Sequence, residues 1–439
     1  MTTDSHCYET VPKVVPADTS AEVTVRPTDP RRGFVPEKTY EVTAIGMEGL
    51  GRGDGPGPTQ MEARLVGGAL RVRGRLAGEQ EHVLLVEAVE GDQRTPVAEA
   101  RVYSLADDLY ARRPLKGDFH IHSDRSDGRE PPAYVAGACR RIGLDFMAVT
   151  DHRLYAPSLE AARAFDGVEV DLRIWPGEEI HLPDNPVHMV NFGGSFSVNE
   201  LSVDEQAYRA EVAAVEREMA DLPAGERRYQ YASCVWCYRK IRQAGGLAVF
   251  CHPYWVTHRA YNVPEWLIER HLADRPFDAL ELIGGYHMHE AESNVLQVAR
   301  YHEQRTRDPA RPIPVVGVSD AHGCERGELF GWYYTIVLAA SPSLPDVIDA
   351  VKGCYSVAVE ALPGAPPRAH GPMRLVKFAQ FLLREVFGAG DELCAEEGRL
   401  MLSHVAGDPA AARQLARLKG QTAAMMDRLW PRSGKREQA

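Results

Sequence analysis

No uninterrupted apolar run in the 439 residues reaches the length a membrane-spanning helix requires, and the opening stretch MTTDSHCYETVPKVV has neither a basic segment nor the apolar core of a secretion signal. The expected location is the cytoplasm. Cysteine is sparse: eight residues, at positions 7, 139, 234, 237, 251, 324, 354 and 394, are scattered in a way that suits free thiols rather than a disulfide framework. Cys234 and Cys237 form one CxxC pair, but no second pair or nearby His pair completes a zinc set. The surrounding period is helical, so core packing is expected for both. Positive charge is in deficit, with 50 Lys and Arg against 62 Asp and Glu. A net charge of −12 is the wrong sign for a broad duplex-binding surface. Bound divalent cations can still reverse the potential inside one cleft, which leaves a small anion or a nucleic-acid end open as substrate.

What is present is a globular composition, 44% hydrophobic and 26% charged, in a chain long enough for two or three domains. Residues 1–19 are expected to be a flexible lead-in. From 20 to 112 the text consists of short alternating runs, such as KTYEVTAIGM and EHVLLVEAVEG, punctuated by Gly, Pro and Asp. Period-two alternation of this kind predicts an antiparallel β-sandwich. The glycine-rich GMEGLGRGDGPGPTQ within it has no helix start or Lys-Ser/Thr pair after it, so it is expected to be a loop and not a phosphate cradle. Between 113 and 362, apolar strands alternate with helical stretches, which predicts an α/β domain. Its insertion VDEQAYRAEVAAVEREMADLP has the spacing of a solvated amphipathic helix. Residues 366–435 predict a helical extension of three helices, with GDP capping the last.

The placement of histidines is more informative than their number. Five strand-like runs end in metal-ligand types: DFHIH in His120 and His122, DFMAVT before Asp151 and His152, DLRIW before Glu178 and Glu179, GLAVFC before His252, and IPVVGVS before Asp320 and His322. In α/β barrels and open α/β sheets the carboxyl ends of the strands gather at one face, so ligands distant in sequence would converge. Side-chain alternation puts His120 and His122 on the same side of their strand, and Asp127 in the SDG turn can swing over the same mouth. Asp118 and Asp124 are expected to bind no ion. His181 and His188 flank LPDNPV and could face the cleft, though nothing in the sequence requires it.

The motifs HIHSDRSDG, AVTDHR, PGEEIH, FCHPYW and VGVSDAHG occur in that order over roughly residues 114–362. This stretch resembles the polymerase-and-histidinol-phosphatase (PHP) family of metal-dependent phosphoesterases. The resemblance implies a distorted (β/α)7 PHP barrel, here with an N-terminal β-sandwich domain and a C-terminal helical extension. It also implies two or three divalent metal ions and hydrolysis of a phosphate mono- or diester by a metal-bridging hydroxide. Carried over position by position, the first ion takes His120, His122, Glu179 and Asp320, the second shares Glu179 and adds His252, and the third takes Asp127, His152 and His322. Glu179 is preferred to Glu178 because it directly precedes an Ile. A further ligand for the second ion is sought in ALELIGGYHMHEAESN, where both His287 and His289 are candidates. Where the family usually has Asn or Asp after TDH, this chain has Arg153, which could clamp a phosphate or pair at the surface.

Imidazoles with carboxylates suit Zn, Mn or Fe better than Mg, which prefers oxygen ligands. Glu179, Asp320 and Arg153 are the candidate catalytic groups, and Tyr254 and Trp255 the candidate substrate contacts. A small phosphorylated substrate or a nucleic-acid end is the expected partner. The other functions in view are a metal-dependent hydrolase of a C–N or C–O bond, a 5′-end-directed exonuclease, and a non-catalytic metal-containing binding protein. The sequence does not indicate an oligomeric state.

Overall fold

The computed structural model describes residues 7–49, 57–219, 221–287, 290–325 and 329–431. These divide into two compact units. One comprises residues 1–112, 377–390 and 420–439, and the other 113–376 and 391–419. The helical segment anticipated over 366–435 is thus shared between them.

In the first unit eight strands follow the predicted alternation: β1 (Tyr8–Val11), β2 (Val14–Pro16), β3 (Ser20–Pro27), β4 (Thr39–Gly46), β5 (Thr59–Val66), β6 (Ala69–Arg75), β7 (Gln80–Glu90) and β8 (Gln93–Leu105). They form one hydrogen-bonded series in the order β1-β3-β6-β5-β4-β7-β8-β2. The change of partner falls within β5, where Thr59–Met61 pair with β4 and Glu62–Val66 pair with β6. The inward residues Val23, Val25, Val42, Val72, Leu84, Val86 and Val102 make its core. The lead-in expected to be flexible supplies β1 and β2 instead, because Tyr8 and Thr10 turn inward in the same alternation. Of the glycine-rich stretch, Gly46 ends β4, Thr59 and Gln60 open β5, and residues 50–56 lie outside the described residues.

The second unit begins with β9 (Arg113–Asp118), β10 (Phe146–Met147), β11 (Arg173–Ile174), β12 (Gly177–His181), β13 (His188–Phe192) and β14 (Leu247–Phe250). A short hairpin, β15 (Val256–Thr257) and β16 (Ala260–Tyr261), precedes β17 (Ala279–Gly284), β18 (Val315–Val318), β19 (Tyr333–Ala339), β20 (Ser356–Glu360) and β21 (Arg368–His370). One sheet runs β11-β10-β9-β19-β20-β21 and another β12-β13-β14-β17-β18. Two isolated parallel bridges, Ile121↔Ala321 and His152↔Glu179, join them beyond the strand ends. With the Thr150 N–H donating to the Ile121 carbonyl (2.8 Å), these bridges close the backbone into a ring at one end of the sheets.

In the second of these sheets one strand departs from the parallel pattern. β13 is antiparallel to both β12 and β14, so its amino end, not its carboxyl end, lies at the ring. Helices cover the sheets: Glu226–Gln243 buries Cys234, Trp236, Cys237 and Ile241, which places the CxxC pair in the core. The insertion forms the helix Glu205–Glu216, whose inward Tyr208, Val212 and Val215 pack into that core. The helix expected over DPAAARQLARLKGQTAAMMDRLW is two, Ala411–Leu418 and Gln421–Leu429. Gly420 interrupts it with φ of 80°, a left-handed conformation that glycine adopts without steric cost. Among the described residues no helix is long and apolar enough to cross a membrane.

Candidate metal centre

The backbone ring sets the positions of the polar side chains. The His122 N–H donates to the Ala321 carbonyl (3.0 Å), and the Asp320 N–H donates to the His120 carbonyl (2.9 Å). This fixes the first motif against the last. Asp118 and Thr150 support that junction: the Asp118 carboxylate accepts the N–H groups of His120 (3.2 Å) and Ser319 (3.1 Å), and the Thr150 hydroxyl accepts that of Ile121 (3.0 Å). Burial pushes the Asp118 carboxyl up to about 7. Neither Asp118 nor Asp124 belongs to a potential metal-ligand group among the described residues, and Asp124 faces Arg125 instead (3.3 Å).

Of five adjoining potential donor groups among the described residues, three consist of predicted ligands: His120, His122 and Asp320; His120, Glu179 and His252; and His122, Asp127, His152 and His322; the other two are His120, Cys251 and Glu281, and His152, Glu179 and His181. In the first, Asp320 Oδ1 is 3.4 Å from His120 Nε2 and 2.8 Å from His122 Nε2. In the second, Glu179 Oε2 is 3.6 Å from His120 Nε2 and Oε1 is 3.3 Å from His252 Nε2. In the third, Asp127 Oδ1 is 3.3 Å from both His152 Nε2 and His322 Nε2. Donors bound to one ion at about 2.1 Å stand about 3.0–3.5 Å apart, so these separations suit ions between them.

Of the adjacent glutamates, Glu179 faces the cluster, whereas Glu178 faces away. The Glu178 carboxylate accepts from Ser197 Oγ (2.6 Å), the Val198 N–H (2.6 Å) and Asn199 Nδ2 (2.9 Å). Glu179 is fully buried, its Oε2 contacting His152 Nδ1, and among the described residues His120 Nε2, His122 Nδ1 and Glu281 Oε1 have no hydrogen-bond partner. Orphaned buried lone pairs are costly unless a cation takes them up, and neutral imidazoles with carboxylates are the donors that Zn, Mn or Fe accept. The residues present therefore fit divalent ions.

The electrostatics are consistent with this. Burial disfavours charge on His120, but the carboxylates of Asp320 and Glu179 outweigh it and hold that imidazole well above its ordinary pKa. The same contest lifts His252 to about 9. For Glu179 burial opposes ionisation, yet His188 and His120 hold it well below the carboxylate range; Asp320 is lowered likewise by His120 and His122. Two carboxylates thus draw protons onto neighbouring rings, and a divalent ion would displace those protons.

Three groups at the cluster were not singled out by the strand-end pattern. His188 Nδ1 lies 3.0 Å from Glu179 Oε1, and His181 Nε2 lies 3.3 Å from Glu179 Oε2. The two rings stack at 3.8 Å across the β12–β13 hairpin, where they are register partners. His188 also sets its ring edge-to-face against His252 at 5.1 Å. A further ligand for the second ion was sought in the 287–289 loop; His188 and His287 line the same cavity, and His289 lies outside the described residues. Glu281 Oε2 approaches His120 Nδ1 at 3.4 Å. The signal for His181 and His188 was parity: residues 179 and 181 share a strand face, and a hairpin pairs 181 with 188.

The cavity above the cluster measures about 390 Å³ and is lined by Asp127, His152, His181, His188, His252 and Trp255, among others. Gly285, with φ of 70°, forms part of the wall, where a Cβ would stand 2.3 Å from Glu281 Oε1. Trp255 faces the cavity, but Tyr254 is buried behind it, accepting a hydrogen bond from Arg300 Nε (3.2 Å). Arg153 has φ of 59°, donates its N–H to the Glu179 carbonyl (2.9 Å) and lines a different, adjoining cavity.

No family model matches the chain. Over 57 residues it is 40% identical to the DNA polymerase/3′-5′ exonuclease PolX of Bacillus subtilis (strain 168), a match spanning 13% of this chain and 10% of that protein. A two-domain protein from Bacteroides vulgatus ATCC 8482, described as containing a predicted PHP-like metal-dependent phosphoesterase, is 17% identical with a TM-score of 0.41, covering 62% of this chain and 70% of that one. An amidohydrolase from Chromobacterium violaceum is 21% identical with a TM-score of 0.32, covering 49% and 89%. The motif resemblance to the PHP family stands: residues from all five motifs meet in one cluster.

Proposed function

We propose that the chain is a metal-dependent phosphoesterase hydrolysing a phosphate mono- or diester, its second unit a distorted (β/α)7 PHP barrel and its first a β-sandwich appendage. The observation that carries this is the adjacency of three donor groups beneath an open cavity, since a structural metal site is closed and needs only one set of ligands. Divalent ions held there, Zn, Mn or Fe by donor type, supply an activated water at neutral pH and neutralise phosphate charge.

The residues have distinct tasks in this reading. Glu179, at the centre, faces His120 through Oε2 and His252 through Oε1 and would help hold an ion between them, and Asp320 faces both His120 and His122. Asp127 and His322 stand at the more exposed rim, where a phosphate would enter. Trp255 walls the mouth beside His188 and His252 and limits water around the reacting ester. A small phosphorylated molecule or a nucleic-acid end, in the cytoplasm, is the substrate consistent with a chain of net charge −12.

The test is release of p-nitrophenol from a generic phosphomonoester and from a bis-ester, with Mn²⁺ or Zn²⁺ added and then chelated. Metal-dependent turnover of either is expected. Asp320→Ala and His120→Ala should each lower turnover at least a thousandfold while circular dichroism stays unchanged. Normal metal content without turnover on either ester, or full activity in both variants, would overturn the assignment in favour of C–N or C–O hydrolysis or a non-catalytic role. Short 5′-phosphorylated RNA and DNA oligomers in the same assay separate an end-directed nuclease from a small-molecule phosphatase.

A further inference from the structure

The cavity that Arg153 enters is larger than the one above the metal ligands, about 750 Å³. The two adjoin along the chain: Arg153 follows His152, Leu182 follows His181, and the Asn262 N–H donates to the Trp255 carbonyl (2.8 Å). Its lining includes Arg153, Arg227, Asn185, Tyr261 and Trp266.

The lining carries two cations, Arg153 and Arg227, and two carboxylates, Asp184 and Glu226. Asp184 on its wall is paired with Arg209 (2.6 Å), and Glu226 accepts from Gln230 Nε2 (3.1 Å). Neither Arg153 nor Arg227 has an ion-pair partner among the described residues. Arg227 instead lies over the Trp266 ring, 5.2 Å from its centroid. A guanidinium stacked in this way keeps its N–H edge free, which is the preorganised form for two-pronged binding of an oxyanion. Arg153 reaches the same cavity from a left-handed backbone conformation that costs a non-glycine residue free energy, and such strain persists where the surroundings impose it. Two exposed cations on separate segments, one stacked and one strained and neither with an ion-pair partner among the described residues, thus line a space next to the reacting centre.

We propose that this cavity holds the alcohol portion of the substrate, and that Arg153 and Arg227 bind a second anionic group, a carboxylate or phosphate, carried on that portion. The inference rests on the phosphoesterase reading for the position of the scissile bond, but the anion site itself does not require turnover. It narrows the substrate class to esters whose leaving group is itself an anion, and it moves Arg153 from the reacting phosphate to the distal end of the molecule.

The experiment compares phenyl phosphate with 4-carboxyphenyl phosphate on the metal-loaded protein, by initial rates and by calorimetric titration. The carboxylated ester is expected to show a KM and a dissociation constant at least tenfold lower. In Arg227→Gln and in Arg153→Gln that ratio should fall towards one, while Arg227→Lys, which keeps the charge without the fork, should retain part of it. Equal constants for the two esters in the unmodified protein, or an undiminished ratio in both glutamine variants, would overturn the inference. Arginine-dependent binding of the carboxylated ester without hydrolysis of either would leave the anion site standing and overturn the phosphoesterase reading instead.

Discussion

Glu281 Oε2 sits 3.4 Å from Nδ1 of His120, while Nε2 of the same ring faces Glu179 and Asp320. A carboxylate on the far nitrogen fixes the tautomer and raises the basicity of the ligating one, and losing such a partner typically costs 10–100-fold in metal affinity. Glu281→Gln is therefore expected to weaken binding of an ion held by His120 by about that factor, measured by competition with a chromogenic chelator, with circular dichroism unchanged. Wild-type affinity in the variant would show that Glu281 only fills space. At this scale the sequence was most legible where alternation decides the outcome: His120 and His122 share a donor group with Asp320, while Asp127 joins His122, His152 and His322 in another. It was least legible at Arg153, because a positive φ redirects a side chain in a way no spacing rule reports.

Strand direction explains what was missed among the elements. Gathering ligands from the carboxyl ends of strands finds residues 120, 122, 152, 252, 320 and 322. It passes over His188, which begins an antiparallel strand and reaches the ring from its amino end. The helix Glu265–Asp274 offers a separate test. His271 on it is fully buried, stacked on Phe250 at 4.6 Å, and its Nδ1 is 2.7 Å from the Leu267 carbonyl. Burial lowers its pKa to about 4, against 6.5 for the free side chain. The unfolded chain then binds more protons between these values, so the contribution is complete above pH 6.5 and is lost as pH falls towards 4. The full span is worth about 3 kcal/mol at most. Urea denaturation at pH 7.5 and 5.0 should show the wild type losing about 2 kcal/mol more than His271→Leu. Identical pH dependence in the two proteins would contradict the assignment.

For the molecule as a whole, the donor groups tie folding of the second unit to ion occupancy. An ion at a hundred times its dissociation constant adds about 2.7 kcal/mol to stability. Chelation should accordingly lower the melting temperature of the metal-loaded protein by several degrees, read by calorimetry, and readdition of Mn²⁺ or Zn²⁺ should restore it; an unchanged melting temperature would argue against ligation. The α/β character of this unit was legible from alternating strands and helices. The sharing of the terminal helices between two units was not, because periodicity reports which face of a helix is apolar but not which core it meets. The junction of the first and last motifs has a topological consequence. His122 and Asp320, 2.8 Å apart, are separated by 198 positions in the chain. An ion held between them acts as a removable cross-link over nearly half the polypeptide, and chain-entropy arithmetic for a covalent staple of that span gives on the order of 5 kcal/mol.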